Sequence, residues 1–198
     1  MRAALGLRAH SGWAAAVVIA GPLAAPVVLA RRRLLLADEE ELPGSKQPYH
    51  AAEEHELPDA SRMIEGYVAD ARRRAWEGLR GTLEAAAAAG HRIGRCGLLL
   101  ASGRPLPGLA QILASHALIH TADGEHFREA FTSAAERLSL KVTAVREREV
   151  EARAAGAAGV SAEELRGRIA GLGKPLGPPW TQDQKLAAFA GILALVAR

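Results

Sequence analysis

The chain opens with a long apolar region whose β-branched residues predict extended structure. Two such segments, 17–19 and 27–29, flank the sequence GPLAAP. Glycine and proline favour a turn there, and β-branched residues on either side of a turn favour paired strands. We therefore predict a β-hairpin formed by residues 3–20 and 26–37. Three consecutive arginines interrupt its second strand, which is typical of a sheet edge that faces solvent.

A membrane span is the alternative for this region, because residues 13–30 are apolar and arginines follow them. Gly21, Pro22 and Pro26 divide the run into pieces far shorter than the roughly 20 residues of a spanning helix. The run also begins inside the chain without a signal-peptide cleavage pattern. We therefore expect no membrane association and a cytoplasmic location. The single cysteine, Cys96, agrees with a reducing compartment.

Helices and strands are predicted to alternate in the rest of the chain. Apolar residues at helical spacing predict a long helix over 61–89, with Ser61 as its N-cap. A continuous apolar run predicts a buried, central parallel strand over 93–101. The remaining predicted elements are helices over 109–121, 125–138, 146–155 and 161–170 and a strand over 141–145. Thr181 and Gln184 have the spacing of a capping box that opens the last helix, whose almost entirely apolar part is residues 186–196.

Length and composition favour a single domain. A chain of 198 residues that is 49% hydrophobic can bury one core. We predict one α/β domain over residues 1–198, with a mixed sheet that starts with an antiparallel hairpin and helices packed on that sheet. Residues 38–60 and 171–180 are predicted to be irregular loops. The formal net charge of +3 permits an anionic partner such as nucleic acid but does not require one.

Candidate chemistry is concentrated in the helix after the central strand. His116 and His120 are four residues apart and therefore share one helix face, which the apolar pattern orients toward the core. Two interpretations stay open: hydrogen-bonded core histidines, or a polar or metal-binding site formed with Ser115, Glu125 and His126. Two histidines at this spacing are a weak metal signal, because zinc needs further ligands. A divalent metal cofactor is left open, and its identity is not set.

Further candidate residues lie near the predicted ends of strands and helices. Arg104, in the loop after the central strand, could hold an anion at a helix N-terminus. Arg146 and Glu147 follow the last strand, where α/β folds place functional groups. Asp183 and Lys185 lie in the first turn of the last helix, where the helix dipole alone favours an aspartate. The alternatives are an ordinary turn at Arg104 and solvated helix starts at the other positions.

The long polar loop also carries groups with chemical potential. Tyr49 and His50 offer a phenol and an imidazole on a segment that could fold over a cleft as a lid.

Two stretches of the chain resemble the ribonuclease-H-like superfamily, nearest its Holliday-junction-resolvase-like branch. Residues 5–14, LGLRAHSGWA, are similar to that family's opening strand. There, a hydrophobic-Gly-hydrophobic-Asp-Pro-Gly run leads through a glycine and Trp-Ala into the hairpin. Residues 181–195 are similar to its closing helix, in which an aspartate precedes an apolar run. The resemblance implies a ribonuclease-H-like fold.

The resemblance also implies which residues stand at the family's catalytic positions. In that family the first-strand aspartate binds the catalytic magnesium, and a closing-helix aspartate and intermediate acids complete the set. Arg8 stands at the first position, where a cation cannot ligate a metal and repels one. Asp183 matches the closing acid, and Glu147 is a candidate for an intermediate acid. The resemblance therefore implies the fold more strongly than two-metal cleavage.

Three functional hypotheses follow. The one we favour is a protein that has lost the nuclease site and binds an anionic ligand or partner through Arg8, Arg104 and the helix of His116 and His120. The second is an enzyme with a rebuilt site, in which His116 or His120 acts as general base or metal ligand and Glu125, Glu147 or Asp183 is the acid partner. The third is a structural or assembly protein with core histidines. The substrate and the oligomeric state are not set by the sequence.

Overall fold

The computed structural model describes residues 1–101 and 105–197, which form a five-stranded sheet with helices on both faces. The strands are β1 (Arg2–His10), β2 (Trp13–Ala20), β3 (Val27–Leu35), β4 (Arg92–Leu100) and β5 (Lys141–Arg146). Their order is β3-β2-β1-β4-β5, with antiparallel pairing among the first three strands and parallel pairing of β4 with β1 and β5. The mixed α/β sheet and its central parallel strand are as predicted.

The opening apolar region folds as three strands, not as the two of the predicted hairpin. A tight turn at Ser11 and Gly12 separates β1 from β2. The φ of Gly12 is 79°, in the left-handed region that favours glycine. The apolar run continues across this turn, so hydrophobicity alone did not reveal the reversal. The arginine-bearing strand, β3, lies at the sheet edge as expected.

Among residues 1–101 and 105–197, no helix combines the length and the hydrophobicity needed to cross a bilayer.

Seven α-helices are described. The first lies within residues 38–60, which were predicted to be an irregular loop, and several of the others differ from prediction at their boundaries. The helices are α1 (Pro48–Ala52), α2 (Leu57–Ala88), α3 (Leu109–Leu113), α4 (His116–Arg137), α5 (Val150–Ala158), α6 (Ala162–Gly171) and α7 (Gln182–Val196). Helix α2 begins before Ser61, because Pro58 is suited to a first helical turn. Helix α4 continues through residues 122–124, and the break lies instead at residues 114–115.

Buried side chains fill both faces of the sheet. On one face, Leu79 of α2 and Phe127 of α4 belong to the same cluster as Val18 of β2. On the other face, Phe189 of α7 belongs to a cluster that contains Val17. Adjacent residues of β2 thus serve opposite cores, as strand geometry requires. The sheet is covered on both sides, which holds its strand ends in fixed positions.

Helix α7 packs against the two central strands at backbone contact distance. A Cβ added at Gly6 would lie 1.7 Å from the carbonyl oxygen of Ala187. A Cβ added at Gly97 would lie 2.0 Å from the carbonyl oxygen of Ala190. Side chains at these positions would push the helix off the sheet. The two glycines therefore set the position of α7, and with it the position of any functional group at its N-terminus.

Candidate functional site

The first turn of α7 is fixed by the capping box that the sequence indicated. The Thr181 hydroxyl accepts a hydrogen bond from the Gln184 backbone N–H at 3.3 Å, and the Gln184 side-chain oxygen accepts one from the Thr181 N–H at 3.0 Å. This reciprocal pairing satisfies two N–H groups at the helix N-terminus. Asp183 lies between the two capping residues and is directed to the carboxyl end of β1.

Arg8, Glu147 and Asp183 form an ion-paired group beside the ends of β1, β5 and the start of α7. Arg8 Nε and Nη2 donate to the two carboxylate oxygens of Glu147 at 2.9 and 3.0 Å. Arg8 Nη1 donates to Asp183 Oδ1. Bidentate arginine–carboxylate pairing is among the stronger and more directional hydrogen-bond arrangements. The structure thus brings together three residues that the sequence singled out. We call these three residues and His10, which is described below, the Arg8 cluster.

The guanidinium of Arg8 is a fixed positive charge between the two carboxylates. Its side chain is 20% exposed, against 42% for Glu147 and 27% for Asp183. The hydrogen bond to Glu147 is the largest cause that raises the pKa of Arg8, and burial acts in the opposite direction. The arginine therefore stays charged, and its charge is matched by carboxylates of the same chain.

His10 is a member of this cluster that the sequence analysis did not identify. Its Nε2 lies 2.8 Å from Arg8 Nη1 and 3.1 Å from Asp183 Oδ1. In a neutral imidazole, this nitrogen either accepts from Arg8 or donates to Asp183, but cannot do both. The ring stacks on Trp13 with the centroids 4.4 Å apart. The sequence could have indicated His10, because alternate residues of a strand face the same side and His10 is two residues after Arg8.

The residues of the Arg8 cluster do not fit a magnesium site. Magnesium requires near-octahedral coordination by oxygen atoms. Both oxygens of Glu147 and one oxygen of Asp183 already accept hydrogen bonds from the guanidinium. A metal ion placed among them would also lie next to the charge of Arg8. In this cluster, a side chain of the protein therefore takes the place that a cation would need.

A cleft of about 830 Å³ opens beside the Arg8 cluster. Its lining includes Arg128, Arg148 and Arg166 in addition to Arg8, against the carboxylates of Glu147 and Glu151. Arg166 is paired with Glu151 at 2.9 Å. The side chain of Arg148 is 76% exposed. The cleft therefore contains more positive than negative side chains, and two of its arginines, Arg148 and Arg166, are exposed to solvent.

A second group of candidate residues lies on α1 and α4: His50, His116 and His120, the three-histidine cluster. The Nε2 atoms of His116 and His120 are 3.0 Å apart. One ring nitrogen from each of the three imidazoles lies within 4.8 Å of the other two. His50 was indicated by the sequence only as a residue of a loop that could close over a cleft. Its partnership with two histidines more than 60 residues away had no local signal.

The prediction that His116 and His120 face the core was wrong. Both residues are exposed, while Ile112 and Ile119 are buried. The prediction treated residues 109–121 as one helix, and the break at 114–115 changes the angular relation between its two halves. The two histidines still share one face of α4, as their spacing requires.

Asp123 positions His50 beside the other two imidazoles. This aspartate is 3% exposed, and its two oxygens accept hydrogen bonds from the Tyr49 backbone N–H at 2.7 Å and from His50 Nδ1 at 2.5 Å. Burial is the largest cause that raises the pKa of Asp123, and the hydrogen bond from His50 opposes it. Through both oxygens, one buried carboxylate ties α1 to α4.

Several other predicted site residues are engaged elsewhere. Glu125 forms an ion pair with Arg128 at 3.2 Å, and Arg146 Nη1 lies 3.6 Å from a carboxylate oxygen of Glu149. Ser115 occupies the N-cap position of α4, but its side chain makes no capping bond with a described residue.

The two clusters are separate sites. No hydrogen bond or ion pair between the described side chains joins one cluster to the other. His120 and the cleft residue Arg128 lie on the same helix, about 12 Å apart along its axis at 1.5 Å per residue. The histidines and carboxylates named as one catalytic set are therefore divided between two places. Lys185 is half-buried on α7, and Arg104 lies outside the described residues.

No protein-family model and no curated protein matches the sequence. Among the solved structures that are similar to nearly the whole chain are two of RuvC. The first, the RuvC protein of Thermus thermophilus in complex with a Holliday junction substrate, is 13% identical, with 98% of this chain and 92% of that chain covered and a TM-score of 0.55. The second, a Thermus thermophilus RuvC structure, is 14% identical, with 96% and 92% covered and a TM-score of 0.52.

These neighbours define the class of fold. The chain has the ribonuclease-H-like fold of the RuvC structures, so the resemblance inferred from residues 5–14 and 181–195 is confirmed at the level of the fold.

Proposed function

We propose that this chain is a resolvase-fold protein that binds nucleic acid in the cleft beside the Arg8 cluster and does not cleave it by two-metal chemistry. The observation that carries the proposal is the guanidinium of Arg8 held between the carboxylates of Glu147 and Asp183. One structural neighbour is a complex with a Holliday junction, so a branched DNA is the first nucleic acid to test.

The proposed absence of two-metal cleavage is supported by the positive charge of Arg8. Two-metal cleavage needs carboxylates that hold two cations about 3.5–4 Å apart. Here the carboxylates of Glu147 and Asp183 are partnered by Arg8, whose charge repels divalent ions and whose N–H groups occupy three of the four carboxylate oxygens. The enzyme hypothesis with a rebuilt histidine and carboxylate site loses support, because the groups it needs lie in two clusters.

Binding of an anion is supported by the arginines of the cleft. Arginine side chains that contact phosphates supply much of the affinity of proteins for nucleic acid, independently of sequence. The nearest carboxylate to Arg148 is that of Glu149 at 3.7 Å, and an exposed pair of this kind contributes little. Arg148 is therefore free to exchange its partner for a phosphate.

A single domain over the whole chain and a cytoplasmic location are parts of the same proposal. The second part is supported by cysteine usage, since the chain has one cysteine and so no disulfide within the chain. Cys96 is buried, and burial raises the pKa of its thiol to about 12, which makes the thiol unreactive.

The proposal is tested by measuring the binding of a labelled four-way DNA junction by fluorescence anisotropy over a series of salt concentrations. We expect binding that weakens as salt rises, and weaker binding with a smaller salt dependence in Arg148→Glu. Arg62→Glu is the matched control, since Arg62 on α2 is 70% exposed and carries the same charge. It should bind like the unmodified protein.

The same junction is then incubated with the protein and magnesium or manganese. We expect intact DNA. Metal-dependent cleavage that disappears in Glu147→Gln would overturn the proposal, as would an affinity that Arg148→Glu and Arg62→Glu lower equally.

A further inference from the structure

The three-histidine cluster takes no part in the proposed nucleic-acid cleft. We propose that His50, His116 and His120 bind one divalent transition metal ion of the zinc type, with a fourth coordination position open to solvent.

The distances between the imidazoles suit a small metal ion. Zinc–nitrogen bonds of about 2.0–2.1 Å place two ligands of a tetrahedral site about 3.3–3.4 Å apart. The Nε2 atoms of His116 and His120 are 3.0 Å apart, and all three rings offer a nitrogen within 4.8 Å of the others. Because His116 and His120 are exposed, their rings can rotate by the small amount that coordination requires.

The close approach of His116 and His120 has a chemical consequence. Two Nε2 atoms that face each other at this distance form a hydrogen bond only when one ring donates and the other accepts. Both nitrogens can use their lone pairs at once when a metal ion lies between them. The i, i+4 spacing on the first turns of α4 holds them on one face in either case.

The hydrogen bond between His50 and Asp123 is a second, independent indication. Metal-binding histidines typically donate the proton of their other ring nitrogen to a carboxylate, which fixes the tautomer and the ring orientation. His50 Nδ1 lies 2.5 Å from the buried oxygen Oδ2 of Asp123, and because an ionised carboxylate can only accept, Nδ1 is the donor. This leaves Nε2 of His50 as the nitrogen with a free lone pair. The ligand is therefore pre-oriented by a carboxylate that itself cannot reach solvent.

The ligand set also indicates the class of metal. Three imidazoles suit zinc, copper, nickel or iron, whereas magnesium and calcium require oxygen ligands. Three protein ligands leave a position for water, as in open zinc sites. A metal ion here would bridge α1 and α4 and would add its binding free energy to the stability of this part of the fold.

Calorimetric titration with zinc, on protein freed of metal and of any polyhistidine tag, tests the site. We expect one ion per chain, and cobalt in its place should give the visible absorption bands of a four-coordinate nitrogen site. His116→Ala and His120→Ala should each lower the affinity at least tenfold, and both should fold because the replaced side chains are exposed.

His55→Ala is the matched control, because His55 is an exposed histidine just beyond α1 and outside the cluster. It should bind zinc like the unmodified protein. Asp123→Asn retains all three imidazoles and should weaken binding about 10- to 100-fold. Circular dichroism checks that each variant is folded.

The inference is overturned if the unmodified protein takes up no zinc, or if the double variant His116→Ala/His120→Ala binds it with unchanged affinity. These titrations contain no DNA, so their failure would leave the proposed nucleic-acid cleft untouched. A failure of DNA binding would likewise leave the metal site untouched.

Discussion

The Arg8 cluster and the three-histidine cluster both contain side chains of types that ligate metal ions, but they differ in what lies at their centre. In the Arg8 cluster the positive charge is covalently part of the chain and already neutralises Glu147 and Asp183. In the three-histidine cluster, ring nitrogens converge, and no described lysine or arginine is bonded to them. A set of ligand-type residues therefore indicates a metal site only when its centre is open to one.

The two clusters also differ in how they are positioned. Arg8 reaches partners 139 and 175 residues away, brought together by the sheet and by the close packing of α7. Two of the three histidines are brought together by helical spacing, and the third is held by a single buried carboxylate. The first cluster depends on the global fold, and the second depends on the contact between α1 and α4.

The largest expected effect is that of a substitution that displaces α7, on whose packing the Arg8 cluster depends. Gly97→Ala places a Cβ 2.0 Å from the Ala190 carbonyl oxygen and forces α7 away from the sheet. We expect the free energy of unfolding to fall by about 3 kcal/mol or more, as for severe overpacking. Chemical denaturation measures it. Gly94→Ala on the same strand is the control, since a Cβ there would meet no described atom within 4 Å. Equal stability of the two variants would contradict this account of α7.

A slightly smaller effect concerns the contact between α1 and α4. His126 on α4 is buried edge-on against Tyr49 of α1, and its Nε2 has no partner among the described residues. Burial, followed by the charge of Arg72, lowers the pKa of His126 from 6.5 to about 4. Between these values the unfolded chain binds the proton and the folded chain does not, so stability falls as the pH decreases through this window.

The loss attributable to His126 reaches about 3 kcal/mol once the pH is below 4, at 1.36 kcal/mol per pKa unit. His126→Phe removes the titrating group and should flatten the dependence of unfolding free energy on pH between 6.5 and 4. His55→Phe, at an exposed position, should leave it unchanged. The account of this interface is wrong if the slope is the same in His126→Phe and in the unmodified protein.

The smallest of these effects concerns the central charge of the Arg8 cluster. Arg8→Met removes the cation and leaves the carboxylates of Glu147 and Asp183 close together without their partner. We expect a loss of about 2 kcal/mol, below the range for fully buried pairs because these side chains are partly exposed.

Arg146→Met is the control for this substitution. Its exposed pair with Glu149 should contribute less than about 0.5 kcal/mol. Thermal and chemical unfolding would measure both variants. An Arg8→Met protein as stable as the unmodified one would show that the carboxylates do not depend on the guanidinium.

The sequence predicted those features that are encoded locally. The apolar run of β4 and the capping box of Thr181 and Gln184 were each visible within a few residues, and both are present in the fold. The resemblance to the resolvase-like branch also matched Arg8 and Asp183 to two catalytic positions of that family. In the structure, Arg8 donates a hydrogen bond to Asp183.

Two kinds of feature were not predicted: interruptions within a continuous apolar pattern, and contacts between residues far apart in the sequence. The turn at Gly12 and the helix break at 114–115 change the direction of an otherwise continuous apolar pattern. The pairing of His50 with Asp123 depends on how a short helix in a polar loop packs on α4, which no local pattern records. For this reason the sequence placed the histidines and the carboxylates in one site, whereas the structure has two.

The difference between the two clusters is tested most directly by crystals soaked in zinc and in manganese, with anomalous difference maps recorded at each absorption edge. We predict one zinc peak among His50, His116 and His120, and no peak of either metal between Glu147 and Asp183. A metal peak beside Arg8, or no zinc peak at the three imidazoles, would contradict the account.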